Sequence, residues 1–280
     1  MYINGRNAVI EALRSGSDVE KVFIMFGMEG EAIDRVRIEA KRAGVPSVIV
    51  DRQRFAELER RAGLGTRSQG VLAVASAVEY ADMDELVESV IARGDVPLVG
   101  ALDGITDPHN VGAIIRSAEC AALDGIVIGK HDSSGITDVV MKTSAGAAGH
   151  LPIARVANVG DSVMSLKDAG LVIVGLDERG TIPYTAYDFT QPSAIIVGSE
   201  GRGIGQRVRR MCDTLLSIPM FGQVASLNAS VASGVVFFEA RRQRVEAGMQ
   251  VTRRQRPAVE HDQDAEDESG KTEEADSESV

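Results

Sequence analysis

The chain has 280 residues, the length of about two domains, and its 44% hydrophobic and 25% charged residues are typical of a globular protein. No apolar run approaches the roughly 20 residues of a membrane helix, and the N-terminus lacks a signal-peptide layout, so we expect a soluble, cytoplasmic protein. The 2 cysteines and 4 histidines show no metal-ligand spacing, and we expect no metal site.

The net charge of −11 is concentrated at the C-terminus. Residues 257–280 hold ten of the 41 acidic side chains and one lysine, so the other 256 residues carry 31 acidic and 29 basic side chains. Residues 1–76 are slightly basic, with 12 basic side chains against ten acidic ones. This distribution permits phosphate binding by the N-terminal region.

The first 76 residues are predicted to form a compact α/β domain. Hydrophobic periodicity and the glycine that ends the second helix support this reading. In chain order we predict a helix at 7–15, a strand at 20–26, a helix at 30–43, a strand at 47–50, a helix at 52–62 and a strand at 70–76.

A linker is predicted at 77–97, where acidic and polar positions, a short amphipathic stretch and Pro97 follow the first domain. Strands and helices then alternate, which predicts a parallel sheet with helices on both faces. The strands are expected at 98–102, 125–128, 151–155, 171–175, 193–197 and 214–218, and the helices at 110–122, 136–144, 160–168, 204–211 and 228–246. Residues 247–280 are almost devoid of apolar side chains and are predicted to be a disordered acidic tail.

Three segments of the second domain depart from what core packing alone would require. They follow predicted strands, where open parallel sheets bind their ligands, and comprise 102–119, 196–204 and 218–234. The middle segment, IVGSEGRGI, places Glu200 among glycines that allow close backbone approach to a ligand, although a simple strand-to-helix turn would look similar.

The polar residues of the other two segments have ordinary alternatives. Ser226 or Asn228 could be an N-cap of the last helix, alone or in addition to a role in a site. Asn110 and Arg116 lie on one predicted helix, and a single Arg there is most often solvated or ion-paired. Their occurrence together with the polar residues of the other two segments makes them candidates for an active site.

The three segments together resemble the motifs of the SpoU family of TrmH-like RNA 2′-O-methyltransferases, within the trefoil-knotted SPOUT superfamily. NVGAIIR is similar to the first motif, VGSEGRGI to the second and IPMFGQVASLNASVASG to the third. Residues 1–76, from INGRNAVIEAL to SQGVLAV, resemble the L30e-like substrate domain of the subgroup that methylates a guanosine in bacterial large-subunit rRNA.

The resemblance implies a knotted catalytic domain at 98–246, a homodimer formed through it, and S-adenosylmethionine as cofactor. The catalytic positions it implies are Asn110, Arg116, Glu200, Ser226 and Asn228. Cofactor contacts are implied at Gly175, Leu176, Gly198, Ile218 and Leu227, and RNA contacts are plausible at Asn4, Arg6, Asn7, Arg67 and Gln69.

Two other functions compete with methylation of 23S rRNA. The same fold could methylate tRNA or another rRNA site, since loop chemistry does not name a nucleotide. A ribosome-assembly factor that only binds RNA is the other alternative, although it would not need all five polar positions. A Rossmann-type nucleotide enzyme is excluded because the glycines lie late in the domain.

Overall fold

The computed structural model describes residues 1–63 and 68–250, which are built around two β-sheets flanked by helices. The α/β class predicted from the sequence is confirmed. The N-terminal region contains β1 (Tyr2–Asn4), α1 (Arg6–Arg14), β2 (Val19–Met25), α2 (Glu31–Arg42), β3 (Ser47–Val50), α3 (Arg52–Arg61) and β4 (Val71–Ala75).

The rest of the fold begins with α4 (Met83–Ala92), which lies inside the predicted linker. Its Leu86 and Val90 side chains pack into a hydrophobic core on one face of the larger sheet. The elements that follow are β5 (Leu98–Asp103), α5 (Pro108–Cys120), β6 (Gly125–Gly129), α6 (Asp138–Thr143), β7 (Ile153–Val156), α7 (Val159–Asp168), β8 (Val172–Leu176), β9 (Ile182–Pro183), β10 (Ser193–Gly198), α8 (Gln206–Met211), β11 (Thr214–Ser217) and α9 (Ala229–Glu246).

In the described part of the N-terminal region, four strands form a mixed sheet in the order β1-β4-β2-β3. β4 is antiparallel to β1 and β2, whereas β2 and β3 are parallel. The fully buried side chains of Val9, Ile33 and Val36 attach α1 and α2 to this sheet. β1 is missing from the sequence prediction because three residues are too few to show a period of two.

Within residues 98–217, seven strands form an all-parallel sheet in the order β7-β6-β5-β10-β8-β11-β9. The predicted helices on both faces are confirmed. Ile115 of α5 and Phe237 of α9 lie in one core cluster, and Val163 of α7 and Val208 of α8 lie in the other. The central strands therefore read as continuous apolar runs, as expected for strands buried on both faces.

The start of α5 differs from the prediction. The sequence suggested a start at 110, but the helix begins at Pro108 and Asp107 accepts a hydrogen bond from the His109 amide. Proline is tolerated at the first helical position because its missing amide hydrogen would have no partner there. Asn110 therefore lies in the first turn of α5.

The described residues contain no helix that is both long and apolar enough to cross a membrane. The knot implied by the resemblance stays a prediction. The predicted tail falls outside the described residues from position 251 onward.

Candidate active site

The carboxyl ends of the central parallel strands meet at one edge of the large sheet. Gly198, the last residue of β10, pairs in register with Asp103 of β5, and Val197 pairs with Leu176, the last residue of β8. The Asp103 carboxylate also accepts a hydrogen bond of 2.7 Å from the Gly205 amide. The loops that follow these strands are therefore held side by side.

A cavity of about 950 Å³, counted with its open mouth, lies among these loops. Leu176, Gly198, Ile218 and Leu227, all predicted to contact a cofactor, line it. Gly175, the fifth of that set, does not line it. A Cβ on Gly175 would lie 2.7 Å from Leu215 and 3.0 Å from the Cys212 thiol, so this glycine serves packing behind the cavity wall.

The glycine-rich segment folds back on itself above β10. Ser199 and Gly203 exchange backbone hydrogen bonds of 3.2 and 2.8 Å. A Cβ on Gly198 would lie 2.1 Å from the carbonyl carbon of Gly203, a distance that no folded protein accommodates without moving backbone. The glycine at 198 is therefore needed for the approach of the chain's own backbone, which shapes one wall of the cavity.

Three of the predicted catalytic side chains form a hydrogen-bonded network at the mouth of this cavity. Asn110 Nδ2 donates to Glu200 Oε1 at 3.1 Å, and Asn228 Nδ2 donates to Asn110 Oδ1 at 3.0 Å. Asn228 Nδ2 also donates to Glu200 Oε1. We call these three residues the polar triad; it joins segments 90 and 118 residues apart in sequence.

Asn228 has a second role, because both interpretations offered by the sequence hold. Its Oδ1 accepts hydrogen bonds from the Ser230 amide at 2.9 Å and the Val231 amide at 3.3 Å, which caps α9. The capping oxygen fixes the side chain so that its amide nitrogen is directed toward Glu200. The same rotamer thus serves helix α9 and the polar triad.

The remaining two predicted catalytic residues are placed differently. Ser226 is exposed and lines the cavity, one residue before Leu227. Arg116 is also exposed, but its side chain forms no hydrogen bond or ion pair with any residue of 1–63 or 68–250. Six residues along α5 rotate it about 120° from Asn110, so it faces away from the polar triad.

An ion pair that the sequence analysis did not predict forms part of the cavity wall. Arg209 Nη2 lies 2.6 Å from Asp177 Oδ2, whose side chain is only 4% exposed. Both residues line the cavity, and Arg209 Nε is buried without a hydrogen-bond partner in the described structure. The pair connects the loop after β8 to α8, 32 residues later, a distance in sequence at which periodicity carries no signal.

The environment of Cys212 disfavours the reactive thiolate. Burial, followed by the nearby Asp213 carboxylate, raises the pKa of the Cys212 thiol to about 11. A thiol with this pKa is almost entirely protonated near neutral pH, and only the thiolate is reactive. Across 1–63 and 68–250, no cluster of three or more His, Cys, Asp or Glu side chains could hold a metal ion.

The predicted RNA contacts of the N-terminal region gather at one corner of its sheet. Arg6 Nε donates to the Gln69 carbonyl at 3.1 Å, which brings the start of α1 to the loop before β4. Asn7 and Gln69 are exposed, and Asn4 ends β1 next to them. Arg67 lies outside the described residues.

Comparison with family models matches residues 97–238 to the SpoU rRNA Methylase family. Residues 2–81 match a model described as RNA 2′-O ribose methyltransferase substrate binding. The two matches cover most of the chain and fall on the two sheets.

Similar proteins carry related names. A putative TrmH family tRNA/rRNA methyltransferase, YacO of Bacillus subtilis, is 36% identical over 248 residues, which cover 88% of this chain and 97% of that protein. An uncharacterized tRNA/rRNA methyltransferase of Mycolicibacterium smegmatis is 40% identical over 86% of this chain and 76% of its own length. The SpoU methyltransferase AviRb from Streptomyces viridochromogenes, solved in complex with AdoMet, superposes with a TM-score of 0.55 at 27% identity, covering 88% of this chain and 91% of AviRb.

Proposed function

The chain belongs to the SpoU rRNA Methylase family of RNA methyltransferases, and from that membership we propose that it methylates the ribose 2′-hydroxyl of a guanosine in bacterial 23S rRNA. S-adenosylmethionine is the methyl donor in this proposal. Residues 98–246 are the catalytic domain, and residues 1–76 bind the RNA substrate.

The polar triad beside the cavity is the observation that carries the proposal. It presents a carboxylate and two amides beside a cavity that is lined by both apolar and charged side chains, and all three residues are at least partly accessible to solvent. A large polymer can reach such a site only if the reactive groups stand at the surface. A small cofactor is better held in the recess below them.

The residues around the cavity fit S-adenosylmethionine. Leu176, Ile218 and Leu227 offer apolar surface to an adenine ring, and Gly198 lines the same cavity. The bound cofactor supplies an electrophilic methyl group on a sulfonium. The protein's task is then to hold the ribose oxygen in line with that methyl group and to assist loss of its proton.

We assign this task to the predicted catalytic side chains. Glu200 and Asn110 orient the ribose, and Ser226 and Asn228 complete the hydrogen-bonding shell around it. The Arg116 side chain offers a planar cationic guanidinium with several N–H donors, which suits phosphate and oxyanion recognition. It therefore orients the target phosphate and stabilises the alkoxide that develops on the 2′-oxygen.

The exposed face of α9 supports a homodimer formed through the catalytic domain. Val231, Phe238 and Val245 are each more than half exposed and recur every seven residues, so they lie on one face of the helix. The opposite face is buried against α5 and the sheet. Because Arg116 faces away from the polar triad of its own chain, we infer that it serves a site near this interface.

Methylation of tRNA is the second candidate, because both similar proteins described above are named tRNA/rRNA methyltransferases. The predicted RNA contacts on the N-terminal domain favour large-subunit rRNA over tRNA as the substrate. A separate RNA-binding domain beside the active site provides a second contact surface for a large, structured RNA.

Transfer of labelled methyl groups from S-adenosylmethionine to rRNA or tRNA separates these candidates. We expect incorporation into large-subunit rRNA, with one primer-extension stop at a guanosine at low nucleotide concentration. Incorporation into tRNA alone would replace the rRNA assignment with the tRNA one. Cofactor binding without transfer to either RNA would favour an assembly factor.

A further inference from the structure

A buried cluster joins the N-terminal domain to the catalytic domain. Glu20 lies on β2 and Arg155 on β7, and their side chains are only 5% and 8% exposed. Arg155 Nη2 approaches Glu20 Oε2 to 2.7 Å. The pair therefore connects the two sheets through a contact from which solvent is largely excluded.

Tyr80 completes the cluster from the segment between the domains. Its hydroxyl donates to Glu20 Oε1 and accepts a 2.8 Å hydrogen bond from the Ile136 amide. The Arg155 guanidinium carbon lies 5.2 Å from the centre of the Tyr80 ring, a cation–π distance. Burial, followed by the Glu20 charge, raises the pKa of Tyr80, so its hydroxyl stays a donor.

The catalytic domain has a recess for the Glu20 carboxylate. A Cβ on Gly135 would lie 1.7 Å from Glu20 Oε2, so only glycine at 135 leaves room for the carboxylate between Arg155 and Tyr80. We call Glu20, Tyr80, Gly135 and Arg155 the junction cluster. Its members come from four separate segments of the chain.

Two further contacts support the same arrangement. The Ala77 amide donates to the Ile136 carbonyl at 2.7 Å, and Lys130 Nζ donates to the Ala43 carbonyl at 2.9 Å. The segment between the domains is thus bound to the catalytic domain by its backbone. Residues 130–137, which follow β6, are therefore contacted by the N-terminal domain and by the segment that joins it to the catalytic domain.

This loop is also connected to the polar triad. The Ser134 amide and the Ser133 hydroxyl each donate to the Ile105 carbonyl at 3.1 Å. Ile105 is buried in the loop that leads from β5 to Asp107, the N-cap of α5. A continuous set of contacts therefore runs from Glu20 to the first turn of α5, where Asn110 lies.

Net stabilisation does not account for this cluster. Removing an ion pair from water costs about as much free energy as the attraction between the charges returns. Arg155 Nε is moreover buried without a hydrogen-bond partner in the described structure. Such a pair is better suited to fixing one orientation of two bodies than to increasing their stability.

We propose that Glu20, Tyr80 and Arg155 are positioning residues that hold the RNA-binding domain in one orientation at the catalytic edge of the large sheet. The proposal rests on the proposed function. RNA held at the corner around Arg6 and Gln69 is thereby presented to the polar triad in a single register. The junction cluster would then determine which nucleotide is methylated, without contacting the cofactor.

The test compares Glu20→Gln with wild type and with Glu31→Gln. Glu31 is a matched control, since it also pairs with an arginine in the N-terminal domain but its side chain is 87% exposed. In Glu20→Gln we expect the KM for RNA to rise about tenfold, as for loss of one charge-assisted hydrogen bond, and methylation to spread to secondary nucleotides. The cofactor Kd should stay within about twofold of wild type.

Hydrogen exchange of the full-length protein supplies a readout independent of activity. Amides of 76–81 and 130–137 should exchange faster in Glu20→Gln, while those of the central strands stay protected. Tyr80→Phe, which keeps the ring and loses the hydroxyl, should show the same pattern more weakly. It provides the test if Glu20→Gln does not fold.

Each result bears on one claim. Unchanged RNA KM, site selectivity and junction exchange in an active protein would overturn the positioning role. A parallel loss of cofactor binding and kcat would indicate a general structural defect and would also overturn it. Absence of methyl transfer to any RNA by wild type would instead refute the proposed function.

Discussion

The Asn228 side chain performs two functions that can be separated by mutation. Its oxygen caps α9, and its nitrogen donates to Glu200 and Asn110. Serine is a good N-cap but lacks the amide nitrogen, whereas alanine supplies neither group. The pair of variants therefore distinguishes a stabilising role from a catalytic one.

Asn228→Ala should lower the free energy of unfolding by about 1 kcal/mol through loss of the cap. Asn228→Ser should keep most of that stability, yet both variants should lose at least about tenfold in methyl transfer, because the triad needs the donor. Thermal denaturation and the initial rate of methyl transfer measure the two effects. Full activity in Asn228→Ser would limit the residue to capping.

Arg116 is expected to act through its planar, bidentate guanidinium. Arg116→Lys keeps the charge but presents a single point donor, so methyl transfer should fall by about tenfold or more. Cofactor affinity, measured by calorimetry, should not change because Arg116 does not line the cavity. Retention of the wild-type rate would remove the bidentate role.

At the scale of elements, the glycine-rich segment depends on one missing side chain. Gly198→Ala places a Cβ against the backbone of Gly203, so the segment must move away from β10. We expect the cofactor Kd to rise by about tenfold or more, in line with the 1–3 kcal/mol that overpacking usually costs. Calorimetric titration with S-adenosylmethionine measures the change.

Gly149→Ala is the control for that substitution. A Cβ there would meet only Met141 at 3.9 Å, an ordinary contact, and Gly149 does not line the cavity. Its cofactor affinity should match wild type. Equal affinities in Gly149→Ala and Gly198→Ala would show that the turn tolerates the extra methyl group.

The sequence predicts the elements that have a clear hydrophobic period and misses those defined by tertiary contacts. The strands of the large sheet from β5 to β8, with β10 and β11, were predicted within a residue or two, because parallel strands buried on both faces are continuous apolar runs. β9 has two residues and is held by pairing with β11, so it leaves no periodic signal.

The same limit applies to the site. Asn110, Glu200 and Asn228 could be selected because they stand in polar segments that follow strands. The Asp177–Arg209 and Glu20–Arg155 pairs could not, because each joins segments whose proximity depends on the folded topology. A local sequence pattern does not distinguish a charged side chain exposed to solvent from one that is paired with a residue distant in sequence.

At the scale of the whole molecule, the exposed apolar face of α9, formed by Val231, Phe238 and Val245, predicts a homodimer. Phe238→Glu places a charge in the proposed dimer interface and should yield a monomer by sedimentation analysis. Methyl transfer should fall with it if Arg116 acts at the interface. Phe26→Glu, at a phenylalanine that is 76% exposed in the N-terminal domain, should remain dimeric.

A dimer that persists in Phe238→Glu would contradict this interface. A fully active monomer would contradict the assignment of Arg116 to a site near it. Loss of activity in a Phe238→Glu variant that remains dimeric would show that this residue affects catalysis without forming the dimer interface.

The most direct test of the central claim is the chemical position of the transferred methyl group. Alkaline hydrolysis of RNA requires a free 2′-hydroxyl, so a 2′-O-methylated nucleotide leaves an alkali-stable dinucleotide. After transfer from labelled S-adenosylmethionine and complete alkaline digestion, we predict that the label appears in dinucleotides and is absent when Arg116→Ala replaces wild type. Label in mononucleotides would place the methyl group on a base and contradict the account.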